Sequence, residues 1–416
     1  MIALRWPKEW QTAAVLESVT SPVTHIVVAA ADRQSAGPVL AGADARGLRV
    51  VDDGTPPPGV AIVEAGWPGT RHFGRSHDKP SPAGGEHATL AGPTGHPWVD
   101  SIGWVVQLAR MRSPAGAIWV DARPEGGVIR TEAYLRAVAD AGANGGAWMI
   151  SLDKDLAAGI AARKPAALET WKKILSAYGF FERHKAWNGY RRVAAFGLVS
   201  DFSGGNEFFA GEILNMTTRN NQPCLILEKS KVDSAALKGL RAAVYVDEQP
   251  PDPALRRTLL SFADAGGLLI LGTKWGAPEG NPLPDTHPRF QLRSFGKGRL
   301  AVSKEESPDP YVFMKDIPLL VSHRYDVVRL FGADAAILYY TATADARRGV
   351  VQVVSYSFFP RNGAELAVRV AAPYREARMC SFDDPEPKKI EMLVDRNASE
   401  AHLPPVPVYA AVEFVR

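Results

Sequence analysis

The sequence predicts a multidomain α/β protein: a short or degenerate (β/α) barrel, then a flavodoxin-like parallel α/β domain, then an antiparallel β-sandwich. Three observations predict it. Continuous apolar runs alternate with helical patterns in the middle of the chain, strands ending in carboxylates precede them, and short apolar runs split by turn clusters follow. Strands covered on both faces read as unbroken apolar runs. Their alternation with helices gives right-handed crossovers and a parallel sheet. The expected domains are residues 1–188, 189–307 and 308–416, since 416 residues exceed one ordinary core.

The middle domain is the clearest. Its predicted strands are 194–200 (AAFGLVS), 223–227 (PCLIL), 242–246 (AAVYV), 267–271 (GLLIL) and 298–303 (GRLAVS). Helical patterns lie at 207–218, 233–240 and 253–265. The last opens on Asp252-Pro253, a capping acid and a proline at the first helical position, and closes on Gly266-Gly267.

In the first domain the strands fall at 25–29, 48–51, 60–64, 98–99, 117–120 and 147–151, with helices at 10–19, 101–111, 131–141 and 166–181. Strand ends carry Asp52-Asp53, Glu64, Asp100, Asp121 and Asp153, which suits a barrel with polar groups at its C-terminal rim. A full eightfold barrel takes about 250 residues, so shortened or missing helices are expected. From about residue 308 the helical period is lost, and strands at 336–341, 349–356, 366–371, 389–394 and 408–415 argue for a sandwich.

Composition excludes several classes. Charged residues make up 22% and hydrophobic ones 46%, and a net charge of +3 leaves no electrostatic footprint for nucleic acid. The two cysteines, Cys224 and Cys380, make neither a disulfide framework nor a metal cluster. No apolar stretch reaches a membrane span, and MIALRWPKEW lacks a leader's apolar core. A cytoplasmic protein with no membrane or nucleic-acid partner is expected.

The segment LLSFADAGGLLILGT after AAVYVDE, and the segment AWNGYRRVAAFGLVSDFSGGNEFFAGEIL, resemble the middle domain of family 42 β-galactosidases. The domain order resembles theirs too. In that family the middle domain is similar to a class I glutamine amidotransferase and mediates trimer formation. The resemblance implies an O-glycoside hydrolase with a carbohydrate ligand and a homo-oligomer built through the middle domain. The chain departs from the family in lacking an Asn-Glu pair at a strand end.

Glycoside hydrolysis needs two carboxylates flanking the scissile bond. Glu64, Asp100 and Asp121 are the candidates for acid/base and nucleophile, with Trp67, Trp98 and Trp104 as a sugar platform and Arg123 and Glu125 as further contacts. Each has a structural alternative. Asp100 and Asp153 precede helices and suit N-caps, Asp121 can hold Arg123, and Asp52 and Asp53 precede a turn glycine. The second functional reading is therefore a non-catalytic carbohydrate-binding or assembly protein. His72, His77, His87 and His96, with Asp78 and Glu86, share the long loop 69–95 and its flank without metal-ligand spacing, so no metal is expected. The glycine-bearing loop 203–206 reads as a turn and helix cap rather than a phosphate cradle, and no cofactor is expected. The turn Asp247-Glu248-Gln249-Pro250 carries no elbow cysteine.

Overall fold

The structure is a computed structural model and describes residues 1–71, 98–124, 129–306, 308–333, 335–357 and 366–416. In the first segment Ile2–Arg5, Val23–Val28 and Arg49–Asp52 form one parallel ladder, and Val60–Glu64, Ala117–Asp121 and Ala147–Trp148 form another. A parallel bridge between Leu4 and Ile150 joins the two. Among the described residues no ladder pairs Arg49–Asp52 with Val60–Glu64.

Alternation along these strands sorts their side chains onto two faces. Ala3, Val27, Trp119 and Met149, with Val51 and Ile62, fill one face. Leu4, Ile26, Ile118, Val120 and Trp148 face the other way, onto the helices Thr131–Gly142 and Pro165–Arg183. His25 and Trp119, three strands apart in the joined order, meet at 5.1 Å. Adjacent strands lie about 4.8 Å apart, so such a contact requires the sheet to curl over its smaller face.

Two expectations for this segment are corrected. Residues 10–19 are not an α-helix but hold a short 3-10 turn, Ala13–Ser18. Tertiary anchoring overrides the period: Trp10 Nε1 donates to Ala157 O at 2.9 Å, and its ring meets Trp6 and Trp171 edge-on. The strand at 98–99 exists as Trp98–Asp100 but pairs antiparallel with Gly69–Arg71, outside the parallel ladders.

The middle sheet runs Cys224–Glu228, Phe196–Ser200, Ala242–Tyr245, Leu268–Leu271 and Gly298–Ser303, all parallel, then Phe290–Phe295 and Asn281–Pro282 antiparallel. Numbered along the chain, the parallel part has the order 2-1-3-4-5, that of flavodoxin-like sheets. Asp252 caps the helix Pro253–Asp264, accepting from Ala254 N and Leu255 N at 2.8 and 2.9 Å. Residues 233–240 are turns rather than the expected helix. Asp233 Oδ1 takes the Ala236 N–H at 2.8 Å, and Gly239 sits at φ +86, so local side-chain bonding and a left-handed glycine end any helical path.

Beyond residue 308 the helical period is not lost at once. Pro310–Val321 is a helix capped by Asp309, and its Phe313, Met314 and Ile317 pack into the middle core beside Phe209 and Ile213. Pro318 inside it masks the pattern in the sequence.

Two antiparallel sheets complete the fold. One orders Val328–Phe331, Leu366–Val370, Ala398–Leu403 and Met392–Asp395; the other orders Lys388–Ile390, Glu376–Ser381, Tyr409–Val415, Arg348–Ser355, Ala336–Ala342 and Arg191–Arg192. Leu338, Tyr340, Val351, Val353, Val412 and Phe414 face the smaller sheet. Ile337, Tyr339, Val350, Val354, Tyr409 and Ala411 face the helices of the first segment. Among the described residues no helix is long and apolar enough to cross a membrane.

That second interface is pinned by Asp140, which is fully buried. It accepts from Tyr339 OH at 2.5 Å, Ile102 N at 2.7 Å, Tyr356 OH at 2.8 Å and Ser101 Oγ at 3.1 Å. Burial pushes its carboxyl above the usual range, and these donors work against the push. Asp140→Ala is expected to cost about 2–4 kcal/mol, because it strips several buried donors of one acceptor. The measurement is the fall in melting temperature; an unchanged melt would show that the interface does not depend on Asp140.

Candidate functional site

The curled face of the first sheet ends at its C-terminal edge in charged residues. The same alternation that turns Ala3, Val51, Ile62 and Trp119 inward turns Arg5, Asp53, Glu64 and Asp121 inward two residues later. Arg5 reaches across this rim. Its guanidinium pairs with Asp53 on one side and with Asp121 Oδ2, at 2.7 Å, on the other. Arg123 approaches the same two acids at 3.5 and 3.3 Å. The hydrogen bond to Asp121 holds the Arg123 proton more firmly than usual, with burial opposing.

Glu64 and Asp121 are ladder partners on neighbouring parallel strands, so their side chains leave the sheet on one side. Glu64 is exposed, whereas the Asp121 side chain is only 11% exposed. Trp67 is half-buried on the helix-covered face, meeting Tyr134 and Trp148 edge-on at 5.9 and 5.5 Å. Glu64, Asp121 and Arg123 are thus gathered in one region, together with Asp53, which was expected only in a turn, whereas Trp67 packs on the helix-covered face.

The remaining candidates fall elsewhere. Asp100 neither caps the helix Gly103–Arg112 nor faces the rim; it is in an ion pair with Arg219 of the middle domain, whose Nε also donates to Val99 O at 2.5 Å. Capping falls to Ser101 Oγ, which accepts from Gly103 N at 3.0 Å, and to Asp140 from a second helix. Trp104 is not a sugar platform. Its ring packs into the middle-domain core over Gly211, where a Cβ would meet it at 3.5 Å. Asp153 caps Lys154–Ala161 through Asp155 N and Leu156 N, and takes the Tyr134 hydroxyl at 2.6 Å. Asp52 makes an exposed pair with Arg33 at 3.0 Å. The Trp98 side chain, Glu125, His72, His77, His87, His96, Asp78 and Glu86 lie outside the described residues.

The sequence reading missed Arg5 and Arg219. A single arginine closing a short strand, IALR, was the only local signal for the first. Its partners lie far along the chain.

The loop 203–206 closes on itself. Asn206 Nδ2 donates to Asp201 Oδ1 at 2.9 Å, Ser203 N donates to the same oxygen at 3.1 Å, and Lys229 pairs with Asp201 and Asp247. Burial alone works against the Asp201 charge. The bonds from Lys229, Asn206 and Ser203 outweigh it and bring the carboxyl down to about 2. Among the described residues no group of three or more His, Cys, Asp or Glu side chains converges on a metal position.

The fold is glycoside-hydrolase-like. No protein-family profile matches the sequence, and no curated protein is similar to it. Among solved structures, the chain is similar to α-L-fucosidase isoenzyme 2 from Paenibacillus thiaminolyticus, with a TM-score of 0.52 and 12% identity over 75% of this chain and 62% of that one. It is similar to a rhamnosidase from Novosphingobium sp. PP1Y, with a TM-score of 0.50 and 10% identity over 92% of this chain and 38% of that one. A catalytic mutant of a GH42 β-galactosidase from G. stearothermophilus is a looser match, with a TM-score of 0.44 and 11% identity over 74% and 61%. At these identities the likeness is one of fold, and the chain spans less than two thirds of each enzyme.

The Asp201 carboxyl gives a signed pH dependence. Its folded value lies below the unfolded one of about 3.9, so its stabilisation is present above pH 4 and lost as pH falls towards 2. Melting temperature should drop across that window, and Asp201→Asn should flatten the drop. Equal slopes in both proteins would refute the assignment.

Proposed function

We propose that this chain is a carbohydrate-binding protein of glycoside-hydrolase fold, built on a six-stranded remnant of a (β/α) barrel, and that its rim acids do not hydrolyse the bound sugar. The barrel reading is supported by the sequential parallel order of the strands and by Arg123 reaching Asp53, four strands away. One observation carries the loss of hydrolysis. Glycosidases keep about 5–5.5 Å or 6.5–9.5 Å between two carboxylates so that the scissile bond fits between them. Here the Arg5 guanidinium stands between Asp53 and Asp121 and bonds to both.

Glu64 and the 60%-exposed Arg123 offer an acceptor and a donor for sugar hydroxyls. Binding is to be measured by calorimetry against a panel of neutral and acidic oligosaccharides, alongside release from aryl glycosides. Binding without turnover is expected, weakened at least about tenfold by Glu64→Ala or Arg123→Ala. A wild-type chain that binds none of the panel would sink the proposal.

A second reading, hydrolysis by Glu64 and Asp121, is favoured by their register: strands about 4.8 Å apart place the two acids near a retaining separation. Turnover abolished by both Glu64→Gln and Asp121→Asn would select it.

Self-association through the middle domain belongs to the same proposal. Its support is apolar exposure on two helices of that domain, Phe208 at 74% and Leu319 at 61%. Light scattering at micromolar concentration should give a mass above that of one chain, and a monomer would overturn this part.

A further inference from the structure

At the end of the first sheet opposite the charged rim, the molecule encloses a cavity of about 220 Å³. The strands Ile2–Arg5, Ala117–Asp121 and Ala147–Trp148 begin at it, and Gln352 of the sandwich contributes to its wall. Ile118, Val138, Tyr178 and Phe181 supply the apolar surface. Phe181 lies so close over Gly142 that a Cβ there would meet its ring at 2.5 Å. An engineered apolar cavity of about 150 Å³ takes benzene, so this one has room for a single ring with a substituent.

The polar part of the wall has its acceptors filled and donors left over. The carbonyls that end the helix Thr131–Gly142 are taken: Ala139 O by Ala143 N, Ala141 O by Gly146 N and Gly142 O by Gly145 N. Gln352 is saturated, donating to Ala143 O at 3.0 Å and accepting from Tyr409 OH at 2.7 Å. Arg110 differs. Its guanidinium bonds to the backbone carbonyls of Pro114, Gly116 and Gly145, and among the described residues no carboxylate pairs with it. Carbonyls orient a cation without cancelling its charge, and burial pushes the Arg110 pKa down. Three bonds leave about two of the five guanidinium N–H donors unused. Asn188 stands at the same spot, and its side-chain amide bonds to nothing among the described residues. A Cβ on Gly145 would lie 3.2 Å from Asn188 Oδ1 and 3.6 Å from Arg110 Nη2. Lys185 adds a second cation to the wall, against Glu182 as the acid among the described lining residues.

We infer that this cavity binds a small organic acid of benzoate size, with its carboxylate on Arg110 and Asn188 and its ring against Val138 and Phe181. Apolar walls with a few convergent polar groups are the usual make-up of a small-molecule site. A carboxylate supplies the acceptors and the countercharge that the guanidinium lacks, and the planar guanidinium suits its geometry. The site is separate from the rim, which lies at the other ends of the same strands. Its wall comes from the first segment and from the sandwich, so an occupant also fastens that seam.

Benzoate serves as the probe, with benzamide as its uncharged isostere. Calorimetry on the full chain should give about one benzoate per chain and bind benzamide at least about tenfold more weakly, because hydrogen bonds to an ionised acceptor are the stronger ones. The melting temperature should rise with benzoate concentration, as mass action requires. Asn188→Ala removes an exposed side chain, so it should melt like wild type without benzoate and bind benzoate about fivefold more weakly. Arg110→Gln should erase the preference for benzoate over benzamide. A wild-type chain that binds no benzoate at millimolar concentration would overturn the site. Equal binding of the two probes, or benzoate binding untouched by Asn188→Ala, would overturn it as well. Should Arg110→Gln fail to fold, the two probes on wild type and the Asn188→Ala titration decide by themselves.

Discussion

The arrangement of this protein depends on one buried carboxylate. Asp140 projects from a helix of the first segment and gathers donors from Ser101, the Ile102 amide, Tyr339 and Tyr356. It thereby caps a second helix, Gly103–Arg112, and fastens both helices to the six-stranded sheet of the sandwich. Close approach is part of the same design. A Cβ at Gly103 would overlap the Tyr339 hydroxyl, so the tyrosine reaches Asp140 only past a glycine. A carboxylate in an apolar seam is costly unless its acceptor capacity is filled, and here it is filled from both sides. Arg136 and Gln352 extend the seam, bonding to Ser355 O and Ala143 O at 2.9 and 3.0 Å.

The central strands of the six-stranded sheet, Ala336–Ala342, Arg348–Ser355 and Tyr409–Val415, are consequently buried on both faces. This explains why 336–341 and 349–356 read as unbroken apolar runs although they belong to an antiparallel sheet, where one wet face is common. The strand pattern of the middle domain was legible for a related reason: its parallel strands are covered on both sides and its helix Pro253–Asp264 carries its own cap. Local signals of this kind need no partner from elsewhere. The strand Ile2–Arg5 was not legible, since four residues without flanking turn signals carry little pattern. The helix Pro310–Val321 was hidden by its internal proline.

The rim shows where sequence reading runs out. A carboxylate at a strand end looks the same whether it meets a substrate or an arginine. Asp153 could be read as a cap because the amides it serves are two and three residues away. The pairing of Asp121 with Arg123 could be read, but its pairing with Arg5 and that of Asp100 with Arg219 could not, because those partners lie 116 and 119 residues off. Proximity of Glu64, Asp121 and Arg123 followed from strand order and was legible. The plugging of the rim by Arg5 was not. Aromatic residues behaved alike: Trp67 packed on the helix-covered face, and Trp104 filled the seam with the middle domain.

The double burial of these central strands also orders events during synthesis. Helices Thr131–Gly142 and Pro165–Arg183 leave the ribosome long before Ala336–Ala342, Arg348–Ser355 and Tyr409–Val415, which cover them. The middle domain, complete by its closing helix Pro310–Val321, acquires all its core partners in the interval. A folded island therefore hangs between a nascent first segment with Ala139, Phe180 and Trp187 uncovered and a sandwich still unmade. Those helix faces stay uncovered until Ala336–Ala342, Arg348–Ser355 and Tyr409–Val415 have been translated, and chaperone occupancy would matter most in that interval.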